Sequence, residues 1–355
     1  MKNLTRRSFI GVGASAAVAA ALAGCSSGSG SASSAAASAS ASASASAEAS
    51  SAAAAPTGSA LRFVTGGESG TYYAFGSVIA QHATNNAGVE VTALAGNGSA
   101  ANLAELEDGN AELAFCQSDV MAYAFEGSEQ WQQLGSGAPV TCFSTVAALY
   151  DEQVQIVTCN PDIKTVADLK GKNVSIGAAG SGVYFNAIDI LGAYDLKESD
   201  INPTYESFAD TANSIKDGKI DAGFVVAGAP TTAITELSTS KQAYLVSLDK
   251  EHVDKLVAAS PYYSEATIAA GTYTGIDEDV TTVSVQAVIL ANDSVPEDAV
   301  YAFVADIFDN ASTLVETHAK YAEIDLDKGA SITTVPYHPG AAKYFSEKGK
   351  KVATK

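Results

Sequence analysis

Thr65-Gly66-Gly67-Glu68-Ser69-Gly70-Thr71-Tyr72-Tyr73 decides how this chain folds. The apolar run Leu61 to Val64 leads into it and predicts a short strand. Tyr73, Phe75, Gly76, Val78, Ile79 and His82 follow at helical spacing, so the glycines lie between a strand end and a helix N-terminus. Glycines there leave backbone N–H groups bare, and the positive end of the helix dipole adds to their field. The loop is not a nucleotide P-loop, because no Gly-Lys-Ser/Thr closes it. Alone, it is equally a tight strand-to-helix turn; its weight comes from similar loops downstream.

Val89 to Leu94 predicts the next strand, and Gly96-Asn97-Gly98-Ser99 a second loop with Ser99 placed as a helix N-cap. The helix expected from Ala100 to Asp108 carries Leu103 and Leu106 and stops at Gly109. Ala111 to Cys116 is a further strand, with Gln117-Ser118-Asp119 at its C-terminal edge. In open α/β sheets that edge is where ligands gather. Cys142 to Thr158 is rich in strand formers, interrupted by Asp151-Glu152-Gln153, and predicts a crossover into a second unit. There Val166 to Lys172 forms a short helix and turn, and Asn173 to Gly177 a strand. The Gly-rich loop Ala178-Ala179-Gly180-Ser181-Gly182-Val183-Tyr184 then opens a helix over Phe185 to Leu191. Asp221 to Val226 is a buried strand, and Ala227-Gly228-Ala229-Pro230 turns into the helix Thr231 to Leu237. Val283 to Leu290 is the return crossing, followed by a helix from Glu297 to Phe308 and a final short helix after His338-Pro339-Gly340.

Upstream of this body the chain carries export signals. Thr5-Arg6-Arg7-Ser8-Phe9-Ile10 is a twin-arginine pattern, and the small apolar run Gly11 to Ala23 is too short to span a bilayer. Leu22-Ala23-Gly24-Cys25 reads as a lipoprotein cleavage box with Cys25 the expected lipidated residue, so residues 1–25 predict a lipoprotein signal peptide. The alternative is an ordinary cleaved secretory signal with an incidental Cys. Residues 26–60 are almost wholly Ser, Ala and Gly, with nothing to bury, and predict a disordered linker. Such a tether reaches about 30 Å, at roughly 5–6 Å times the square root of its length.

The formal charge is −20; the signal contributes only positive charge (Lys2, Arg6, Arg7), leaving −23 on the rest. No basic footprint for nucleic acid exists on that balance. Arg62 is the only arginine after the signal, and no lysine or arginine occurs from Phe63 to Ile163. An acidic ligand would therefore be met there by N–H groups, hydroxyls and helix ends, not by a guanidinium fork. Cys116, Cys142 and Cys159 are widely spaced, without a Cys-x-x-Cys or histidine neighbours, so no zinc site is expected. Their odd number leaves at least one unpaired, and each falls in an apolar run that suits a buried free thiol.

Taken in order, Gly66-Gly67 with Gly70-Thr71-Tyr72-Tyr73, Gly98-Ser99 with Asn102, and Gln117-Ser118-Asp119 resemble the TAXI family of extracytoplasmic solute receptors. These are substrate-binding subunits of tripartite ATP-independent periplasmic (TRAP) transporters. Asp168-Leu169-Lys170-Gly171-Lys172, Gly180-Ser181-Gly182, Gly228-Ala229-Pro230 and His338-Pro339-Gly340-Ala341 are similar to further family signatures in the same order. The resemblance spans nearly all of Leu61 to Lys348. It implies a type II periplasmic-binding-protein fold, two α/β lobes joined by two crossing strands with the ligand cleft between them. Residues 61–157 and 281–355 would form lobe I, and 158–280 lobe II. It further implies hinge closure on the ligand and an ion-coupled membrane permease as partner; a monomer is the default expectation, and no cofactor is expected. Glutamate, glutamine and related dicarboxylates are among the family's ligands, so a small organic acid or amino acid is expected.

On that footing Gly70, Thr71 and Tyr72 would meet ligand with N–H and hydroxyl groups, as would Ser99. Gln117 and Asp119 would orient it, Asp119 by meeting an amino group. Ser181, Gly182, Tyr184 and Ala229 would face them from lobe II. Where the family has a small or hydroxyl residue this chain has Glu68, which would repel a second carboxylate or attract an amine. Asp119 serves equally as a helix cap, His338 is expected to be structural, and one of Tyr72 and Tyr73 must be core since neighbours cannot share a helix face.

Rival classes leave little trace. Position 179 is Ala, so no Gly-x-Ser-x-Gly elbow surrounds Ser181. There is no His-Glu-x-x-His, and His82, His252, His318 and His338 are scattered, so no catalytic residue is assigned and a secreted hydrolase is the remote alternative. A binding lipoprotein of an ABC importer, or a ligand-sensing lipoprotein, would share the same fold.

Overall fold

The computed structural model describes residues 60–134 and 137–355. The expected signal peptide, the lipidated Cys25 and all but the last residue of the expected linker lie outside the described residues.

Lobe I begins with three parallel strands, β1 (Leu61–Val64), β2 (Val91–Leu94) and β3 (Leu113–Gln117). They are linked by helices α1 (Thr71–Asn86) and α2 (Ser99–Glu107). On α1, Phe75, Ile79 and Ala83 recur every four residues and are buried. That stripe is what holds the helix to the sheet. Gly76 sits where a methyl would come within 2.7 Å of Thr65 Cγ2, so a bare backbone sets the close approach of helix and strand. Helices α3 (Ser118–Glu126) and α4 (Glu129–Leu134) follow β3 and lead to the long strand β4 (Phe143–Thr158).

Strand β4 starts in lobe I and ends in lobe II; β10 (Val280–Asn292) runs back antiparallel beside it and enters lobe I between β3 and β4. Lobe II hangs on the far half of β4 through β7 (Ala222–Ala227), with parallel β5 (Asn173–Ser175) and β6 (Asn202–Thr204) beyond. Its other elements are helices α5 (Val183–Ala193), α6 (Phe208–Lys216), α7 (Thr232–Ser240) and α8 (Lys250–Ala259), and the small strands β8 (Tyr244–Leu245) and β9 (Ser264–Ile268). The main strand order is β2-β1-β3-β10-β4-β7-β5-β6. This is the type II periplasmic-binding-protein fold, two α/β lobes joined by two crossing strands. Helix α9 (Glu297–Asp309) and the helix Pro339–Glu347 then return the chain to the lobe I core.

Each lobe has its own core. Phe63, Phe75, Phe115 and Phe303 centre lobe I, while Ile176, Ile190, Leu191 and Phe224 centre the main cluster of lobe II. Each such fully buried side chain contributes about 1.5–3 kcal/mol relative to exposure.

Two local expectations are corrected. Asp151-Glu152-Gln153 does not interrupt β4, which pairs through it with β10. Period-two alternation turns Asp151 and Gln153 to a groove on one face of the sheet and leaves Glu152 buried on the other. Ser99 is the first residue of α2 and Gly98 is its N-cap, without a side-chain capping bond. Gly98 stands at φ 99°, and a methyl on it would meet Ser181 Cα of the other lobe at 3.3 Å. Only glycine combines that dihedral with that approach.

Cys116, Cys142 and Cys159 are all free thiols, Cys116 fully buried. His338 caps the helix Pro339–Glu347, its Nδ1 accepting from Gly340 N (3.3 Å) while Nε2 lies 3.0 Å from Val295 O. Of the adjacent tyrosines, Tyr72 is the buried one, stacked on Phe115 at 4.6 Å between centroids.

Candidate functional site

Between the lobes lies a cleft of about 630 Å3, counting its mouth. Lobe I lines it with Gly66, Gly67, Ser69 to Tyr72, Gly96 to Ser99 and Gln117; β4 adds Glu152. Lobe II lines it with Ala178, Ser181 to Val183, Glu206 to Phe208, Val226 and Ala227.

The first two loops are held by one side chain. Asn102 Nδ2 donates to Thr65 O (2.6 Å) at the end of β1 and to Phe115 O (2.8 Å) in β3, fixing both strand ends under α2. Ser99 Oγ, released from capping, accepts from Gln117 N (3.1 Å) and lies 3.3 Å from Gln117 Oε1.

Four helix N-termini open onto the cleft: Gly70-Thr71 of α1, Gly98-Ser99 of α2, Gly182-Val183 of α5 and Ser207-Phe208 of α6. Each carries roughly half a positive charge in unpaired N–H groups. No lysine, arginine or histidine is among the lining residues, whereas two carboxylates are, Glu152 and Glu206.

Glu152 is almost fully buried, and Tyr72 donates its hydroxyl to Oε2 (2.6 Å). Burial raises its carboxyl to about 8, against the lowering pull of the Tyr72 hydrogen bond and the Lys320 ammonium. Burial also drives the Tyr72 phenol well up, helped by the neighbouring Glu152 charge. Glu206 Oε2 and Ser181 Oγ are buried with no protein partner, and both residues line the cleft.

The lobes are in contact around this space. Thr71 Oγ1 donates to Gly228 O (3.0 Å), Ala101 N to Gly180 O (2.9 Å), and Gln117 Nε2 to Asn186 Oδ1 (2.8 Å). Asn186 Nδ2 returns to Asp119 Oδ2 (2.8 Å) in lobe I and also donates to Tyr263 OH (2.8 Å) in its own lobe. Gly182 packs so closely that a methyl there would land on Gln117 Oε1 and press on Ser99 Oγ at 2.8 Å.

The residues expected to touch ligand thus fall into two groups. Gly70, Thr71, Tyr72, Ser99, Gln117, Ser181 and Gly182 are brought together on the cleft wall. Asp119, Tyr184 and Ala229 are not on it. Asp119 is fully buried in the seam behind Gln117, where burial raises its carboxyl to about 7 while the Val120 N–H and Asn186 pull it down. Tyr184 spends its hydroxyl on Glu198 (2.9 Å), and Ala229 gives its N–H to Gln153 (3.0 Å). Glu68 is exposed and lines a neighbouring groove, not the cleft wall. Arg62 is equally remote, forked on Glu112 (2.6 and 3.0 Å) and Gly109 O.

Sequence reasoning passed over Glu152, Glu206, Ser207 and Phe208. An acidic pair followed by Gln153 inside an apolar crossing strand marked the position of Glu152. Ser207 three residues before Asp210 carried an N-cap signal.

Fold and cleft together define a two-lobed binding protein of the type II periplasmic class. The chain belongs to the NMT1-like family, whose model matches residues 63–349. Solved structures similar to it include the alkanesulfonate-binding protein SsuA from Xanthomonas axonopodis pv. citri bound to MOPS, with 17% identity, TM-score 0.48, 83% of this chain and 85% of that one covered. A putative L-cystine ABC transporter protein from Listeria monocytogenes has 15% identity, TM-score 0.45 and coverage of 75% and 98%. The amino acid ABC transporter substrate-binding protein AbpA from Streptococcus pneumoniae, bound to L-arginine, has 13% identity, TM-score 0.44 and coverage of 75% and 96%. Among the described residues no helix is long and apolar enough to cross a membrane, and no group of His, Cys, Asp and Glu is arranged to hold a metal.

Proposed function

We propose that the chain is the extracytoplasmic receptor of a TRAP-type secondary transporter, a TAXI protein. In this reading it captures one small organic acid or amino acid, glutamate- or glutamine-like, by closing its lobes, and the closed form is what a membrane permease recognises. Cys25 would carry a lipid anchor and residues 26–60 the leash, with lobe I formed by 61–157 and 281–355 and lobe II by 158–280. The observation that carries it is the cleft itself: Gly/Ser loops of both lobes face one small space, and hydrogen bonds across the seam seal it. Capture needs no chemistry. The lining offers hydroxyls and backbone N–H groups, without a histidine or cysteine to activate a nucleophile.

A thermal-shift screen of the whole chain against amino acids, dicarboxylates, 2-oxo acids and sulfonates tests the proposal. A solute at a hundred times its dissociation constant stabilises by about 2.7 kcal/mol, a clear rise in midpoint. Affinity should change little with salt, since Arg62 is engaged elsewhere and no cation lines the cleft. A tenfold loss between low and high salt contradicts this account. Gene neighbourhood separates the partners: a permease gene alone supports TRAP, and an adjacent ATPase gene moves the receptor to an ABC importer.

A further inference from the structure

Two features of the cleft wall pull toward opposite charges. Converging N-termini of α1, α2, α5 and α6 favour an anion. Glu152 and Glu206 sit on the same wall with no cation among the lining residues, so a second anionic group on the ligand would find no counter-ion there, whereas an ammonium would find two carboxyl groups. Buried carboxylates without a counter-ion are costly. Glu206 Oε2 has no protein partner, and among the described residues no donor reaches Glu152 Oε1. Ser181 Oγ, also buried and unpartnered, belongs to the same cleft wall.

We infer that the cleft takes a zwitterion, an α-amino acid without an acidic side chain, whose carboxylate lies at the helix N-termini and whose ammonium is met by Glu152 with Glu206. The inference rests on the solute-receptor reading and narrows its ligand class, favouring glutamine over glutamate and excluding dicarboxylates. It also gives binding a proton. The groups around Glu152 are Tyr72 of α1, Cys116 of β3, Asp119 of α3, Tyr150 and Asp151 of β4, and Lys320 from the turn 319–323. Only Lys320 is cationic, and Glu323 already pairs with it. An arriving ammonium therefore expels the proton of a carboxyl that burial holds at about 8.

The test is calorimetric titration of the whole chain with the proteinogenic L-amino acids, with glutarate, and with the deaminated counterpart of the tightest binder. For L-glutamine that counterpart is glutaramate, which differs only in the α-amine. An amino acid with an uncharged side chain should bind, and its counterpart should bind about a hundredfold less tightly. Affinity should rise about tenfold per pH unit below about 8 and then level, with close to one proton released per ligand near neutral pH. Glu152→Gln should keep the ligand-free melting point, abolish the proton release and weaken binding at least tenfold; Glu206→Gln should weaken it less. If glutarate or the deaminated acid binds as tightly as the amino acid, or affinity falls as pH rises, the ammonium site is refuted while the receptor stands. If no solute of either class binds, the receptor reading fails and the inference with it. Should Glu152→Gln fold poorly, the deaminated comparison and the pH profile of the natural chain still decide.

Discussion

Glu152 and Asp119 are both buried where the lobes meet, and burial holds both carboxyls above their ordinary range, at about 8 and about 7. Their partners differ. Glu152 takes its hydrogen bond from Tyr72, on a helix of lobe I. Asp119 takes its side-chain hydrogen bond from Asn186, which comes from lobe II and bridges to Gln117 and Tyr263 as well. A buried polar group is costly unless paired. The Glu152 partner comes from the same lobe and the Asp119 partner from the opposite one, so under the proposed lobe closure only the second bond would depend on closing. On the proposed reading the difference separates two jobs for the same side-chain chemistry, recognition on the cleft wall and latching in the seam.

The comparison breaks most visibly at Asn186. Asn186→Ala removes three hydrogen bonds and strands Gln117 and Asp119 together. Leaving such groups unpaired costs about 3 kcal/mol, close to a hundredfold in the closed population. Calorimetry should show affinity falling by that order, and the ligand-free melting point falling by several degrees. A lower melting point with unchanged affinity would mean that Asn186 serves only the lobe II core.

Gly182→Ala strikes the same seam without removing Asn186 or Asp119. The glycine has φ −70°, so alanine brings no backbone strain. Its methyl would collide with Gln117 Oε1 and crowd Ser99, forcing Gln117 to swing away from Asn186. Overpacking of this kind costs about 1–3 kcal/mol, or roughly tenfold to a hundredfold in binding. Because the clash crosses the seam, the open lobes escape it, and the melting point without ligand should move by only a few degrees. Equal losses in both measurements would place Gly182 in the packing of lobe II instead.

These two residues also mark what sequence can show. Gly182 was legible because strand-glycine-helix loops announce themselves locally, and the same signal exposed Gly70, Thr71, Ser99 and Ser181. Asn186 gave no such sign: it lies on a helix interior, and its partners stand 67, 69 and 77 positions away in the chain. Asp119 followed a strand end and so was placed with ligand contacts, yet the sheet edge buries it behind Gln117. Glu152 was hidden by its neighbours. A polar triplet in an apolar run resembles a break, but alternation sends the middle residue to the opposite face from its flanks. Helix α6 shows sparse apolar spacing, with Thr211 and Ile215 its buried positions, so it was passed over, and its cap Ser207 was the signal that could have found it.

A smaller effect separates the carboxylates by pH. Asp119 has a folded value of about 7 against 3.8 for the free group, so its protonated form is favoured by folding. The stability this contributes is full below about pH 4 and is lost as pH rises through about 7, at about 1.4 kcal/mol per unit inside that window. Asp119→Asn keeps an acceptor for Asn186 and cannot ionise. Melting points of the natural chain and the variant should therefore draw apart between about pH 4 and 7, the variant gaining as pH rises, and then run parallel. Parallel curves throughout would show that Asp119 titrates as it does in the unfolded chain.

Tyr72→Phe should have the smallest effect and be the most specific for the cleft. The Tyr72 hydroxyl lowers the Glu152 carboxyl, so removing it pushes that carboxyl higher still. The phenyl ring keeps its stack on Phe115, limiting the loss of stability to about 1 kcal/mol for one hydrogen bond. Binding should weaken modestly near neutral pH and recover as pH rises, since the plateau moves up with the carboxyl it depends on. A uniform loss at every pH would assign the hydroxyl to the ligand, not to Glu152. The same substitution should move the Asp119 profile much less than the Glu152 one, because Tyr72 bonds Glu152 directly and the Asp119 charge acts on Glu152 only through space. If both profiles shift together, wall and latch are one coupled cluster, and the division of labour between the two carboxylates fails.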